Sequence, residues 1–308
     1  MPRQPDRRRK QGVRTVSAHR LNAASVSLIR ERCEVIVEDV LTVNIEGVGA
    51  YSLMWTPTES ILEPVGYTES DGLLAPSGEP EALALAAGFC FTEGLIVGIE
   101  DLRSIAMCPG SRGTVRVQLV DPSRAVIRRR SGMVTSSCGL CGGRELVENG
   151  VLGLSPVPDA LRVNGELLGS VMTAMRRRQD VFQQTGGAHA AAVFASDGTV
   201  LATAEDLGRH NALDKVIGTC LLRRQSIQAC GVLLSSRLSF EMIVKAVRAG
   251  LELVAAVSAP TSLAIEIAER YGITLCGFVR EERATIYTHD RRVRDEQLAY
   301  ARPVARAG

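Results

Sequence analysis

Two thiols, Cys138 and Cys141, stand in the stretch SSCGLCGGRE, between Gly and Ser residues and outside any apolar periodicity. A CxxC pair can be half of a zinc site, a thiol–disulfide centre, a persulfide carrier, or two buried thiols that fall together by coincidence. Gly139, Gly142 and Gly143 give the pair no apolar surface to bury into, which weighs against coincidence. A closed zinc site would need further ligands. There is no second CxxC and no HxxxH, and the next histidine along the chain is His189. A thioredoxin-like centre follows a strand and opens a helix, whereas this pair sits in a Ser/Gly loop. A sulfur carrier has different needs: a thiol on a mobile arm that can reach both donor and acceptor, and a thiolate near neutral pH. Glycine supplies the arm. Arg128, Arg129, Arg130 and Arg144 flank the pair and would stabilise the anion.

A second set of polar residues falls where strands or hairpins give way to helices, in EDLGRHN (205–211), SSRLS (235–239) and SAPTS (258–262). In open α/β sheets ligands collect at such strand ends, and helix N-termini there present free amides. Arg209 and Arg237 beside the hydroxyls of Ser235, Ser236, Ser239, Thr261 and Ser262 suit a phosphorylated or pyrophosphate ligand. Ordinary helix capping would use the same Ser and Thr residues. His189 and His210 stand at loop-to-element junctions, and Asp206, His210 and Asp214 are candidates for a carboxylate–imidazole relay.

Helices and a layered sheet must position these groups. From about residue 165 helix and strand patterns alternate. MTAMRRRQDVFQQ reads as a helix closed by Gly186 and Gly187, and HAAAVFASDGTVLATAED as a hairpin turning at Asp197-Gly198. NALDKVIGTCLLRR, SFEMIVKAVRAG and TSLAIEIAERYG read as helices, GVLLSS, LVAAVS and ITLCGFVR as strands, and ATIYTHD as an edge partner. Earlier, CEVIVEDVLTVNIEG and GTVRVQLVD alternate as strands, and EPEALALAAGFCFTEGLI carries a helix between Pro80 and Gly94. These patterns predict a two-domain α+β/α/β protein. A basic disordered tail occupies 1–25, a β-rich N-terminal domain 26–130, a mobile CxxC loop and linker 131–160, an α/β domain 161–295, and a C-terminal tail 296–308.

Composition narrows the function classes. Of the 36 basic residues 33 are Arg and 3 are Lys, so nearly every cation can make planar bidentate contacts to phosphate or carboxylate, yet the net charge is only +2. At 4% aromatic residues there are few platforms for stacking nucleic-acid bases, and no nucleic-acid partner is expected. No apolar run is long enough to span a membrane. Eight dilute cysteines, mostly in apolar surroundings, read as reduced thiols of a cytoplasmic protein. Cys90, Cys220 and Cys276 fall in helix or strand patterns and are expected to be structural.

Taken in order, SSCGLCG, TGGAHAAA, EDLGRHNALDKVIG, SSRLSFEMIVKA and GITLCGFVR resemble the formate dehydrogenase accessory sulfurtransferases of the FdhD type, over roughly residues 30 to 290. The resemblance implies a cytoplasmic homodimer that takes sulfur from a cysteine desulfurase. It would pass that sulfur, as a cysteine persulfide, to the molybdenum or tungsten bis(molybdopterin guanine dinucleotide) cofactor that formate dehydrogenase needs. Cys138 would then hold the persulfide and Cys141 would be its companion. The cofactor site would draw on Arg209, His210, Ser236 and Arg237 and on the segment Phe278, Val279, Arg280, Glu281, Glu282 and Arg283, with guanosine diphosphate (GDP) as a surrogate ligand. The family usually has Gly where this chain has Glu281, so a close backbone approach at that residue is not expected here. The resemblance also implies that the second domain is similar to the cytidine deaminases. Deaminase chemistry itself is not expected, because the counterpart of its HxE motif is His189-Ala190-Ala191, without the proton-shuttling Glu, and no PCxxC follows. The alternative function is a non-catalytic chaperone that binds the cofactor and delivers it to formate dehydrogenase.

Overall fold

The computed structural model describes residues 12–22, 27–58, 66–68, 72–73, 81–108, 111, 113–125, 133–134, 151 and 153–294. Cys138, Cys141 and the tail 296–308 lie outside the described residues.

Strands β1 (Val13–Asn22) and β2 (Ser27–Ile36) form an antiparallel ribbon that pairs from Val13 with Ile36 to Asn22 with Ser27. This corrects the expectation of a disordered tail over 1–25 for Val13–Asn22. The composition is basic and polar, but every residue of β1 stands in register with one of β2, and the ladder bonds between them offset part of the ordering cost. An Arg20–Glu31 ion pair at 2.9 Å and a Thr15–Glu34 hydrogen bond at 2.8 Å offset part of the charge.

The first large sheet has the order β6-β5-β7-β8-β3-β4-β9. Its strands are β3 (Asp39–Ile45), β4 (Gly49–Trp55), β5 (Gly66–Thr68), β6 (Gly72–Leu73), β7 (Leu102–Met107), β8 (Thr114–Leu119) and β9 (Met133–Val134). Alternation along β3 and β4 points Leu41, Val43, Ile45, Tyr51, Leu53 and Trp55 into a core shared with helix α1 (Glu81–Thr92). Every residue of α1 from Ala82 to Cys90 is buried, so the helix needs cover on both sides. The sheet covers one side and a helix of the second unit covers the other.

That second unit is a three-layer arrangement around a mixed six-stranded sheet of order β12-β11-β13-β14-β15-β16. Its strands are β11 (His189–Phe194), β12 (Val200–Asp206), β13 (Gly231–Leu234), β14 (Leu253–Ala256), β15 (Thr274–Gly277) and β16 (Thr285–Thr288). β13, β14 and β15 run parallel and are buried on both faces, which is why GVLL, LVAA and TLCG read as continuous rather than alternating runs. A short pair, β10 (Val163–Asn164) with β17 (Val293–Arg294), closes the unit.

Helix α2 (Gly165–Arg176) packs on one face of the sheet. Helices α4 (Arg209–Leu222), α5 (Phe240–Arg248) and α6 (Ser262–Tyr271) pack on the other. The single helix expected over MTAMRRRQDVFQQ breaks into α2 and α3 (Asp180–Thr185). A remote carboxylate explains the restart: Glu205 accepts hydrogen bonds from the N–H groups of Val181 and Phe182, both at 2.8 Å, and so satisfies the first donors of α3. The strand expected over ITLCGFVR stops at Gly277, because Phe278 turns into the left-handed region at φ 52°. Among the described residues no helix is long and apolar enough to cross a membrane.

The two units meet where α1 crosses α4, with a glycine from each at the contact. A Cβ on Gly88 would lie 1.8 Å from the Asp214 carbonyl oxygen, and one on Gly218 would lie 1.8 Å from the carbonyl oxygen of Ala84. No side chain fits at either position.

Candidate functional site

Helix α4 carries two kinds of polar residue. Its middle faces α1. Lys215 is buried there, and its ammonium donates to Glu81 Oε1 at 2.6 Å and to the carbonyls of Thr56 and Glu205, both at 2.9 Å. It also lies 2.7 Å from Asp206 Oδ2 and sits over the Trp55 ring, 5.1 Å from its centroid. Burial pulls the Lys215 pKa down, but Asp206 and Glu81 outweigh it and hold the ammonium above the usual lysine range. One turn of α5 supplies a second buried cation, Lys245. It contacts both oxygens of Asp214 at 2.9 and 3.0 Å, Thr92 Oγ1 at 2.7 Å and Glu93 Oε1 at 3.0 Å. Asp206 is fully occupied as well: besides Lys215 it accepts from the N–H groups of Thr56 and Gly208 and from Asn211 Nδ2. The carboxylate–imidazole relay considered for Asp206, His210 and Asp214 therefore does not form. Two of its members hold buried lysines, and the third points elsewhere.

The start of α4 belongs to a different place, the rim formed by the carboxyl ends of the parallel strands. β11 begins there with His189, opposite Asp206 at the end of β12. Ser235, Ser236 and Arg237 follow β13, and Ser258 to Thr261 follow β14. The loops are cross-braced: Leu238 N–H donates to Ala259 O at 3.0 Å, Thr261 N–H to Leu238 O at 2.9 Å, and Phe278 N–H to Ser258 O at 3.1 Å. Part of the hydroxyl set is consumed internally. Ser235 Oγ accepts from Ala190 N–H, Ser236 Oγ donates to the Arg237 carbonyl, and Thr261 Oγ1 caps α6 by accepting from Ala264 N–H. Of these only Thr261 behaves as the ordinary capping reading expects; Ser235 and Ser236 brace the strand-end loops instead.

Other groups do not. Arg209 Nε and Ser239 Oγ are buried without a hydrogen-bond partner among the described residues, and Ser239 opens α5 without using its side chain as a cap. His210 Nε2 lies 2.9 Å from Glu241 Oε2, at ion-pair distance but without hydrogen-bond alignment. Burial lowers the Arg209 pKa from its usual value, with Glu241 opposing and Arg237 adding to the effect. The His189 imidazole is pushed below its ordinary value by burial first, and then by Arg209, His210 and Arg237, against Asp206. Among the described residues this rim brings Arg209 and Arg237 together with polar atoms that have no hydrogen-bond partner, an arrangement with the chemistry to accept an anion.

The segment 278–283 is mixed. Phe278 is 45% exposed at the rim. Val279 is buried, with its N–H bound to Ala256 O. Arg280 spends Nη1 on the carbonyls of Val257 and Val279, at 2.8 and 2.7 Å, and its N–H closes a turn onto Arg283 O. Glu281, Glu282 and Arg283 are exposed. Glu281 is not among the positive-φ residues, and its carbonyl packs against Gly169, where a Cβ would come within 2.1 Å; the close approach here is made by Gly169. Glu241 is a rim residue that sequence reasoning did not single out, because an acid in a first helical turn is ordinary on dipole grounds. Nothing in its local pattern announces the histidine across from it.

A sequence profile described as the FdhD/NarQ family matches residues 80–294. The chain belongs to the FdhD/NarQ family. It is 41% identical over 226 residues to a sulfur carrier protein FdhD from Anaeromyxobacter dehalogenans, covering 68% of this chain and 78% of that one. To a protein of the same name from Mycolicibacterium paratuberculosis it is 43% identical over 220 residues, covering 68% and 81%. The fold is similar to that of a solved protein from Desulfotalea psychrophila described as a candidate formate dehydrogenase accessory protein. There the TM-score is 0.69 at 22% identity, with 92% of this chain and 99% of that chain covered. The stretch matched to the FdhD/NarQ family begins one residue before α1 and ends with β17, so it contains the α1–α4 contact and the whole rim.

Proposed function

We propose that this protein is a sulfur carrier serving formate dehydrogenase, with Cys138 as the thiol that carries the sulfur and the strand-end rim as the site that holds the sulfur acceptor. Membership of the FdhD/NarQ family carries the reading. In the loading step the Cys138 thiolate attacks the terminal sulfur of a cysteine desulfurase persulfide. The S–S bond of the donor breaks, the donor leaves as a thiolate, and the sulfur remains on Cys138 as a persulfide. Cys141 would release the sulfur or resolve a wrongly oxidised Cys138. Two of the other thiols are poor competitors. Cys90 and Cys276 are buried and their pKa values are pushed up to about 12, chiefly by burial, so both remain protonated near neutral pH.

The acceptor in this reading is the molybdenum or tungsten bis(molybdopterin guanine dinucleotide) cofactor, bound as a substrate. Its pyrophosphates suit Arg209, Arg237, the Ser239 hydroxyl and the amides that open α4 and α5, with Phe278 beside them. The reading includes a homodimer in the cytoplasm and the expected kinship of the second unit to the cytidine deaminases, which the mixed sheet with helices on both faces supports. The test is the mass of the intact protein after incubation with a cysteine desulfurase and cysteine. The parent should gain a single sulfur that a reductant removes, and Cys138→Ala should gain none. A parent that gains nothing yet binds guanosine diphosphate would favour a cofactor-delivering chaperone, a role the rim would fill equally well. Sedimentation at micromolar concentration checks the dimer.

A further inference from the structure

The β1–β2 ribbon has no role in the carrier reading. It is tied to the body at its root, where Val37 N–H donates to Gly12 O at 2.9 Å and α3 packs against β2. From there each ten-residue strand runs about 30 Å. At the far end Arg20 to Asn22 and Leu28 to Arg30 are all exposed, Leu28 at 68%. A two-stranded ribbon is marginally stable on its own, so a surface that covers it has stability to add. Alternation and register put Leu21 opposite Leu28, His19 opposite Arg30 and Ser17 opposite Arg32 on one face. The acid on that face, Glu34, lies toward the root and accepts from Thr15 Oγ1. Among the described residues neither Arg30 nor Arg32 has a carboxylate at ion-pair distance, whereas Arg20 on the opposite face is paired with Glu31. The outer half of the face is therefore apolar and basic.

The complementary surface is a corner of the first sheet. Val97, 81% exposed, and Val120 meet at Asp101: Val97 N–H donates to Asp101 Oδ2 at 2.8 Å, and Val120 N–H to Asp101 O at 2.9 Å. Glu100 is exposed beside them, and Asp121 follows Val120; these acids outnumber Arg103, the exposed cation that follows on β7. The whole chain is divided in the same way. Residues 1–36 hold eight Arg and one Lys against Asp6, Glu31 and Glu34, a charge of +6, while the full chain carries +2, so the other residues carry −4. Corner and ribbon end are both exposed, so they do not meet within one chain. Resting on the homodimer of the reading above, we infer that the ribbon is an arm that docks on a second copy of this chain, laying Leu21, Leu28, Arg30 and Arg32 against the Val97, Glu100 and Val120 corner of the other copy. Exchange of arms about a two-fold axis uses two such contacts and closes the assembly at a dimer. Apolar burial supplies the attraction, and the opposed charges steer and orient it. Arm against arm would instead bring two basic surfaces together.

Sedimentation equilibrium on the full chain tests this. The parent should dimerise at micromolar concentration, with a dissociation constant that rises as salt is raised from about 0.1 M to about 1 M. Leu28→Glu, the double variant Arg30→Glu/Arg32→Glu, and Val97→Arg should each weaken the dimer by about tenfold or more. A mixture of the last two is the sharpest sample. There the acidic arm of one copy meets the added cation of the other, while the unaltered arm meets the unaltered corner, so the mixture should regain the dimer that each variant alone has lost. A parent dimer that all the variants leave intact, or variants that mixing does not rescue, overturns the docking and leaves the homodimer standing. A parent that is monomeric overturns the homodimer and this inference together, while the mass gain at Cys138 still decides the carrier reading independently.

Discussion

The middle and the start of α4 both concentrate charge in a half-buried or buried setting, and they treat it in opposite ways. Around Lys215 and Lys245 every ammonium meets two carboxylates and further oxygens at 2.6 to 3.0 Å. At Arg209, His210 and Ser239 polar atoms are withdrawn from water without a satisfying partner among the described residues. Leaving a buried donor unmet costs on the order of 1–3 kcal/mol, more for a charged one. The lysine cluster leaves Trp55 Nε1 unmet among the described residues, whereas the rim leaves atoms of three neighbouring residues unmet, which fits a surface with capacity to spare for a ligand.

The comparison can be broken most forcefully at the buried lysines. Lys215→Ala leaves Asp206 and Glu81 as buried carboxylates without their cation, and should destabilise the protein by about 3–5 kcal/mol, read from denaturant unfolding. A loss under about 1 kcal/mol would mean that the pair is exposed in solution, like an ordinary surface ion pair. Next in size, Gly218→Ala forces a methyl group against the Ala84 carbonyl. Such overpacking should cost roughly 1–3 kcal/mol with no selective effect on ligand affinity. The rim should respond in reverse. Arg237→Ala should weaken guanosine diphosphate binding at least tenfold, or about 1.4 kcal/mol, with the effect shrinking as salt rises and the melting temperature holding steady. Arg237→Ala binding as tightly as the parent would remove the rim's claim to an anion.

The smallest effect sharpens the electrostatic side. His189 has a folded-state pKa below its ordinary 6.5, so the native state binds fewer protons than the unfolded chain in that range. Its contribution to stability is therefore complete above pH 6.5, declines as the pH falls from there through the depressed folded value, and levels off below it. His189→Gln should flatten that acid-side decline in a melting-temperature profile. An unchanged profile would show that the imidazole is better solvated than its position suggests.

Much of the second unit was legible from local signals. The Asp197-Gly198 turn, the buried runs of β13 and β14 and the 3.6-residue pattern of α4, α5 and α6 each sit within a window of some ten to fifteen residues, where periodicity operates. The rim's location followed from strand–helix junctions, and Arg209 and Arg237 were visible there. Lys215 and Lys245 were not legible as buried pillars, because Thr56, Glu81, Thr92 and Glu93 lie far away in sequence and nothing local pairs them. Asp214 looked like a relay member for the same reason: its true partner is Lys245, one helix later. β1 was missed because its signal is a register with β2 rather than an apolar face, and the end of β15 because a left-handed Phe278 has no sequence signature. Cys138 and Cys141 were legible as chemistry but lie outside the described residues.

The glycine-to-glycine crossing of α1 and α4 has a consequence for modular exchange. A cut in the stretch 131–160, where the composition changes, suggests two portable halves. Yet the first half would carry away a helix that is apolar on every side, together with Glu81 and Glu93. The second would keep Lys215 and Lys245 facing the space those residues filled. Neither fragment has a finished surface, so a chimera assembled from two relatives at that seam would inherit a mismatched joint unless α1 travels with α4. In this molecule the unit of inheritance is the pair of crossing helices, and the two sheets are what that pair holds apart.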